Sequence, residues 1–367
     1  MKNGSRLAAL GGVVVAAALT LSACGSDDNT APGASNAPTA KIDCAKGTVN
    51  AAGSSAQKNA IEEWTKLYAQ ACAGAQLNYN PSGSGAGIQA FTQNQVAFAG
   101  SDSALKDDEV GPAKQRCGGN NALNLPMVVG PVAVIYNVKG ADGIQLSPKT
   151  LAGIFAGKIK KWNAAEIKAE NSAVTLPDAD IKTVHRGDES GTTENFTKFL
   201  QATAGDVWTW EPSKKWEAPG GQGANKSDGV STVVKQTENS ISYVELSYAT
   251  NNKLQTAKVQ NGAGEYVALS PDSASKALTG AQITGTGNDL ALKIDYATKS
   301  PGAYPIVLVT YEIVCEKGLP AEQAAFVKSF LTYTSSADGQ KVLTDLGYAP
   351  IPGDVLTKVQ ASVKALS

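Results

Sequence analysis

The chain has 367 residues with 32 basic and 33 acidic side chains, a formal net charge of −1 and a single histidine, His185. So even a balance lacks the basic footprint of a nucleic-acid binder, and one histidine excludes a multi-histidine metal site or a histidine-rich catalytic centre. Roughly 320 residues remain once the N-terminal segments are set aside, more than one core usually organises, so two lobes are expected.

The first residues read as an address. Lys2 and Arg6 form a basic region, Leu7 to Leu21 an apolar stretch, and Leu21-Ser22-Ala23-Cys24 a small-residue cleavage site ending in cysteine, the pattern of a signal peptide over residues 1–23. The apolar run of 15 residues is shorter than the ~20 a spanning helix needs. LSAC resembles a bacterial lipobox, which implies cleavage before Cys24 and lipidation of its sulfur, with more than one acyl chain for stable anchoring. Cys24 is thus an attachment point, not a catalytic thiol. Cleavage removes Lys2 and Arg6 and no acid, leaving 30 bases against 33 acids, a net of −3. Residues 24–42, rich in Gly, Ser, Ala, Pro and Asn, read as a flexible tether with a typical reach of ~23 Å.

Of the 5 cysteines, Cys44, Cys72, Cys117 and Cys315 remain after Cys24. An even number outside the cytoplasm favours disulfides, and three connectivities are open. Cys44 with Cys72, bracketing the first strand and helix, and Cys117 with Cys315 is the preferred pairing. The absence of C-x-x-C argues for structural bridges over redox ones.

From Thr48 onward, short apolar runs alternate with helical patterns, an α/β chain. Gly47 to Ala52 reads as a strand ending at Gly53-Ser54-Ser55, followed by a helix with Ile61, Trp64, Leu67, Tyr68 and Ala71 on one stripe. Ser54 and Gln57 fit a capping box. A strand near Gln76 to Asn80, the glycine-rich turn PSGSGAG and a short helix holding Ile88 and Phe91 come next. Val96 to Gly100 is a third strand, ending at Ser101-Asp102-Ser103 before an acidic helix start. These junctions put Ser, Gly and Asp at the carboxyl ends of strands, where ligands of open α/β sheets sit. Leu123 to Val138, interrupted by Pro126 and Gly130-Pro131, is too extended for one ordinary strand and suggests passage between lobes. Tyr304 to Val314 is a second such stretch, and Pro320 to Leu331 and Asp338 to Leu346 read as helices.

The segment VHRGDESGTTENFTKF, Val184 to Phe199, sets a permanent cation beside small residues at a helix start. Arg186 offers a planar fork of donors, and Ser190, Gly191 and Thr192 bring free N–H groups to the positive end of a helix. An ordinary capped helix with a surface salt bridge fits the segment equally well. The turn from Ser82 to Gly87 lets backbone approach a ligand, but it lacks the spacing of a dinucleotide or P-loop site and Ser84 has no G-x-S-x-G elbow. Asp102 reads first as a helix cap. Opposite Arg186 it gains another meaning: an ionised carboxylate accepts and cannot donate, so it repels an oxyanion unless that anion carries a proton. Phosphate keeps one near neutral pH; sulfate does not.

These residues carry a resemblance. AGSS, YNPSGSGAGI, FAGSDSAL, LPMVVGPVAVIYNV, TLAGIFAGKIKKWN, HRGDESGTT, GGQGANKSDGV and ISYVELSYA, in this order, resemble the phosphate-binding lipoproteins of ABC-type phosphate importers. The resemblance implies a two-lobed periplasmic-binding-protein fold of type II, with two α/β domains joined by a hinge of two crossovers. One lobe would comprise 44–130 plus 305–367 and the other 131–304. The implied phosphate contacts are Ser55, Ala56, Ser84, Asp102, Arg186, Ser190, Gly191 and Thr192, with Asp188 orienting Arg186 and His185 flanking the site. Ser55 stands where threonine is common. Ala56 replaces a bulkier residue whose contact is made through the backbone N–H.

The function so implied is a monomeric extracytoplasmic receptor, lipid-anchored at the cell membrane. It would capture inorganic phosphate and deliver it to an ABC permease complex, with no cofactor, metal or catalysis. Two rivals stand against it: a secreted phosphatase or serine hydrolase using Ser190 or Ser84, for which only His185 could serve as base, and a receptor for another oxyanion such as sulfate, which would not be expected to keep Asp102.

Overall fold

The computed structural model describes residues 42–367; the signal expected over 1–23, Cys24 and nearly all of the tether lie outside that range. One nine-stranded sheet runs through the described residues. Its strands are β1 (Gly47–Gly53), β2 (Ala75–Asn80), β3 (Phe98–Ser101), β4 (Ala122–Asn137), β5 (Lys182–Arg186), β6 (Gln222–Ala224), β7 (Ser240–Glu245), β8 (Gln255–Thr256) and β9 (Val307–Cys315). They lie in the order β2-β1-β3-β9-β4-β7-β5-β6, with β8 pairing β4. At one end β1 pairs in parallel with β2 and β3, and at the other β5 pairs in parallel with β6 and β7. Antiparallel β4 and β9 join the two parallel groups.

The expected break in the stretch from Leu123 to Val138 does not occur: Ala122–Asn137 is one 16-residue strand, buried along almost its whole length. The passage between cores happens inside it. Leu123, Leu125 and Met127 to Val129 pack in one apolar cluster with Trp64, Phe91, Phe98 and Phe330, while Val132, Val134 and Tyr136 pack in another with Phe155, Phe196, Trp208 and Tyr243. Gly130 marks the change. A Cβ there would come within 2.7 Å of Leu308 Cδ1, so a side chain at this position would have to displace the Leu308 side chain from its packing. On β9 Leu308 packs in the second cluster, while Val307, Val309, Tyr311 and Ile313 pack in the first. Ala274, Leu278 and Leu290 also pack in the first cluster.

Helix α1 (Lys58–Ala71) buries Ile61, Trp64, Leu67 and Tyr68 as its periodicity predicts, while Ala71, expected on the same stripe, is exposed at the helix end. Its expected capping box is not formed. Gln57 is the N-cap and gives no side-chain cap, because Ser54 and Gln57 are both drawn into buried polar contacts described below. Helices α2 (Ser84–Thr92) and α3 (Asp107–Arg116) follow β2 and β3. Glu109 accepts the Lys106 N–H at 2.9 Å, closing the acidic start of α3. Helix α4 (Gly191–Ala204) follows β5, α5 (Lys226–Gln236) follows β6 and α6 (Leu246–Asn252) follows β7. Disulfides join Cys44 to Cys72 and Cys117 to Cys315, the preferred pairing. The second spans 198 residues of sequence, so it ties the end of α3 to the end of β9 and restricts the unfolded chain over a long loop.

Candidate functional site

The carboxyl ends of β1, β3 and β5 meet over the crossover strands. After β1, the chain turns at Gly53, whose φ of +143° and a would-be Cβ 2.0 Å from the Gly100 oxygen admit no other residue. Ser54 and Ser55 are buried just beyond. Two tyrosines from distant segments hold this turn by its carbonyls: Tyr248 donates to Ser55 O at 2.6 Å and Tyr348 to Ala56 O at 2.7 Å. Ser55 Oγ lies 3.0 Å from Ser227 Oγ and accepts the Ser227 N–H at 3.1 Å, so it bridges to the first turn of α5. The Ala56 N–H is directed at Ser54 Oγ, 3.0 Å away. In this structure both groups therefore make contacts within the protein.

Asp102, 2% exposed, follows β3. Its carboxylate is surrounded by hydroxyls from three parts of the chain. Ser54 donates to Oδ1, Thr310 on β9 donates to Oδ1 at 2.9 Å, and Thr192 in the first turn of α4 donates to Oδ2 at 3.1 Å. Asn195 Nδ2 adds a bond to the Asp102 carbonyl at 2.7 Å. Burial raises the Asp102 pKa, and the three hydroxyls and the Arg186 charge oppose that rise. An ionised carboxylate offers about two lone-pair positions per oxygen: Oδ1 is filled by Ser54 and Thr310, while Oδ2 carries Thr192 and keeps capacity for another donor.

Across from it, Arg186 ends β5 at 3% exposure. Asp188 holds the guanidinium by two bonds, from Nε to Oδ1 at 2.7 Å and Nη2 to Oδ2 at 2.5 Å. Lys226 N–H adds a third contact to Asp188 Oδ1 at 2.8 Å. Burial works against the Asp188 charge, but Arg186 outweighs it and holds the carboxyl below its usual range. The orientation expected of Asp188 is thus present, leaving the Nη1 side of the fork for a ligand. Ser190 caps α4 by accepting the Thr193 N–H at 3.4 Å, and its own N–H is taken by Lys214 O at 2.9 Å. Gly191 is in close contact with both neighbours: a Cβ there would lie 2.7 Å from Asp102 Cβ and 2.8 Å from Ser84 Oγ. Ser84 begins α2 and accepts the Asp102 N–H at 3.2 Å.

Ser84, Asp102, Gly191 and Thr192 are therefore brought into mutual contact, Arg186 acts on Asp102 through its charge, and Ser55 and Ala56 stand on the neighbouring turn. His185 flanks the site, its Nδ1 2.9 Å from Arg186 O and its ring stacked on Trp216 at 5.0 Å. Among the described residues no hydrogen bond joins it to Ser84 or Ser190, and no group of histidine, cysteine or acidic residues could hold a metal. Sequence reasoning missed Thr310, Asn195 and Ser227 as participants and read Ser54 as a cap. A signal existed for Thr310: it and Glu312 are the polar interruptions of an apolar strand, and a polar residue buried in such a run needs a partner. Ser227 lies in GGQGANKSDGV, but nothing local distinguishes it.

A profile of the PBP superfamily domain matches residues 38–338. Phosphate-binding protein PstS 3 of Mycobacterium tuberculosis is 44% identical over 369 residues, covering 99% of each chain. Phosphate-binding protein PstS 2 of the same species is 37% identical over 361 residues, covering 97% of each. The fold is similar to that of a high-affinity periplasmic phosphate-binding protein solved with phosphate, at a TM-score of 0.69 and 23% identity, covering 86% of this chain and 93% of that one. It is similar also to a phosphate binding protein from Stenotrophomonas maltophilia, at a TM-score of 0.65 and 22% identity over 86% and 93% of the two chains. These structures share the two-lobed α/β architecture read from the sequence. The chain belongs to the PBP superfamily, in the family of the phosphate-binding proteins named PstS.

Proposed function

We propose that this protein captures inorganic phosphate in the cleft between two lobes and delivers it to an ABC permease. The observation that carries the reading is the pairing of Arg186, oriented by Asp188, with Asp102, a buried carboxylate that keeps an accepting position at Oδ2. The cation and the amides at the start of α4 attract any oxyanion. Asp102 admits one that brings a proton, because a fully ionised oxyanion would leave facing acceptors unsatisfied, a mismatch that lets polar sites discriminate by ~10⁴ or more. The ligand set is Ser55, Ala56, Ser84, Asp102, Arg186, Ser190, Gly191 and Thr192. Ser55 and Ala56 join it by exchanging their contacts to Ser227 and Ser54 for contacts to the anion.

The lobes are assigned as 44–130 plus 305–367 and 131–304. The change of core at Gly130 on β4, and the packing of β9 residues in both cores, support the two crossovers, with 274–290 reaching back onto the first core. Contacts across the cleft support a hinged clamp: Lys58 with Asp228 at 3.0 Å, Lys214 with Glu109 at 2.6 Å and Asn59 with Ser247 at 2.6 Å. The protein performs no chemistry, works as a monomer and is held on the extracytoplasmic face of the cell membrane by lipid on Cys24. Among the described residues no helix is long and apolar enough to cross a membrane.

The test is equilibrium binding of labelled phosphate to the domain lacking its signal, with sulfate as competitor and phosphate-ester hydrolysis followed alongside. Tight phosphate binding, poor sulfate competition and no turnover are expected. Strong sulfate competition would remove the role given to Asp102, and ester turnover lost in Ser190→Ala would establish the enzyme reading instead.

A further inference from the structure

Asn195, 3% exposed on α4, stands outside the ligand set yet makes three side-chain hydrogen bonds. Its Nδ2 donates to the Asp102 carbonyl at 2.7 Å and to the Gly191 carbonyl at 2.8 Å, and its Oδ1 accepts the hydroxyl of Tyr296. The bond to Gly191 is of the kind a polar side chain inside a helix returns to the carbonyl four residues back. The bond to Asp102 is not local: it runs from the lobe of 131–304 to the lobe of 44–130.

Following the protons fixes which way this amide faces. A backbone carbonyl can only accept, so the atom set between the two carbonyls must be the nitrogen, and both of its protons are used there. The remaining Oδ1 needs a donor, and Tyr296, buried in the second core, gives it its single hydroxyl proton. Turned over, the amide would lose both carbonyl bonds and bring three acceptor oxygens together, an arrangement that buried polar groups avoid. Tyr296 therefore holds the one orientation in which Asn195 reaches Asp102.

Thr192 and Asn195, three residues apart, share a face of α4. Thr192 holds the Asp102 carboxylate at Oδ2 and Asn195 holds the Asp102 main chain. One such bond alone would leave the carboxylate free to pivot; the two together fix it relative to the Gly191 and Thr192 amides. The clasp lies in the cleft, not inside one core: a cavity of about 410 Å³ beside it is lined by Asp102 and Ser103 from one lobe and by Glu194, Asn195 and Tyr296 from the other. We propose that Asn195, held in place by Tyr296, is a positioning residue that sets the Asp102 carboxylate against the bound anion and so determines how strongly phosphate is preferred over sulfate.

This rests on the phosphate reading above, and the experiment separates the two. Phosphate and sulfate affinities are measured calorimetrically for the wild type, Asn195→Leu, Tyr296→Phe and the double variant. The ratio of the two affinities does not depend on what fraction of a preparation is folded, so a merely structural loss leaves it unmoved. Asn195→Leu keeps the size of the side chain and removes the clasp, and the preference for phosphate should fall about fivefold, the effect of one buried hydrogen bond. Tyr296→Phe frees the amide to turn and should lower the preference about threefold. Because Tyr296 acts through Asn195, the double variant should match Asn195→Leu alone. An unchanged preference in Asn195→Leu, with both anions weakened equally or not at all, would overturn the proposal, as would additive losses in the double variant. Hydrogen exchange followed by NMR reads the clasp without reference to selectivity: the Asn195 side-chain amide, identified by its loss in Asn195→Leu, should be protected in the wild type and exchange at least ~10-fold faster in Tyr296→Phe. Exchange in the wild type as fast as at an exposed asparagine would also overturn it. If the amide behaves as expected and the wild type does not prefer phosphate, the phosphate reading fails while the clasp of Asn195 on Asp102 stands.

Discussion

The two walls of the site are built in different ways. Arg186, Asp188, the Ser190 cap and the Gly191 and Thr192 amides come from one strand, one turn and the first turn of one helix, all within a short stretch of chain. Asp102 is served by Ser54 from the first strand's exit, Thr310 from the crossover strand and Thr192 from the facing wall. Attraction for an anion can be encoded locally, because a helix end and a cation beside it need only adjacency. Discrimination needs every lone pair of a buried carboxylate accounted for, and the donors for that arrive from sequence positions more than two hundred residues apart. The local wall should consequently govern how tightly any oxyanion binds, and the assembled wall which oxyanion is accepted.

Removing the cation should have the largest effect. Arg186→Ala takes away the ligand's cation and leaves Asp188 half-buried without its partner, a type of change costing about 3–5 kcal/mol in a buried pair. Phosphate affinity measured by calorimetry should fall by at least ~100-fold, equally for every oxyanion. Asp102→Asn separates the walls most cleanly: sulfate competition should increase sharply while phosphate affinity falls by less than ~10-fold. Acid should imitate that substitution. Because the Asp102 pKa is raised, lowering the pH protonates it earlier than an ordinary aspartate, and competition assays should show sulfate gaining on phosphate as pH falls.

Thr310→Val keeps the shape and removes one donor to Asp102, worth about 1 kcal/mol. The phosphate-to-sulfate preference should drop by ~5-fold with binding otherwise retained; a uniform loss for both anions would place Thr310 with the attracting wall. The smallest effect is expected at the rim. Lys214 and Glu109, with side chains 6% and 21% exposed, pair across the cleft at 2.6 Å. Lys214→Met should speed phosphate release in stopped-flow by a few-fold, the range of a partly screened pair worth about 1 kcal/mol or less, without changing the sulfate preference.

Much of this molecule is written in short-range pattern. The alternation of strand and helix, the stripe from Ile61 to Tyr68, the cap at Ser190 and the Arg186 segment follow from the 3.6- and 2-residue periods and from the needs of helix ends, which neighbours in sequence satisfy. So does the existence of bridges among Cys44, Cys72, Cys117 and Cys315, though not their pairing by rule. Two expectations failed for one reason. Ser54 and Gln57 have the spacing of a capping box, but the buried Asp102 and Tyr79 claim their side chains, and an unpartnered buried polar group costs more than an uncapped helix start. The stretch through Gly130-Pro131 looks interrupted in one dimension, yet flanking strands on both sides carry it through as a single strand. What the sequence alone determined is the α/β class, the order of elements and the placing of Arg186 beside a capped helix start, since these depend on contacts a few residues apart. Which donors surround Asp102 and where the core changes along β4 were decided only by the tertiary structure, because burial and hydrogen-bond accounting belong to groups that folding brings together from opposite ends of the chain.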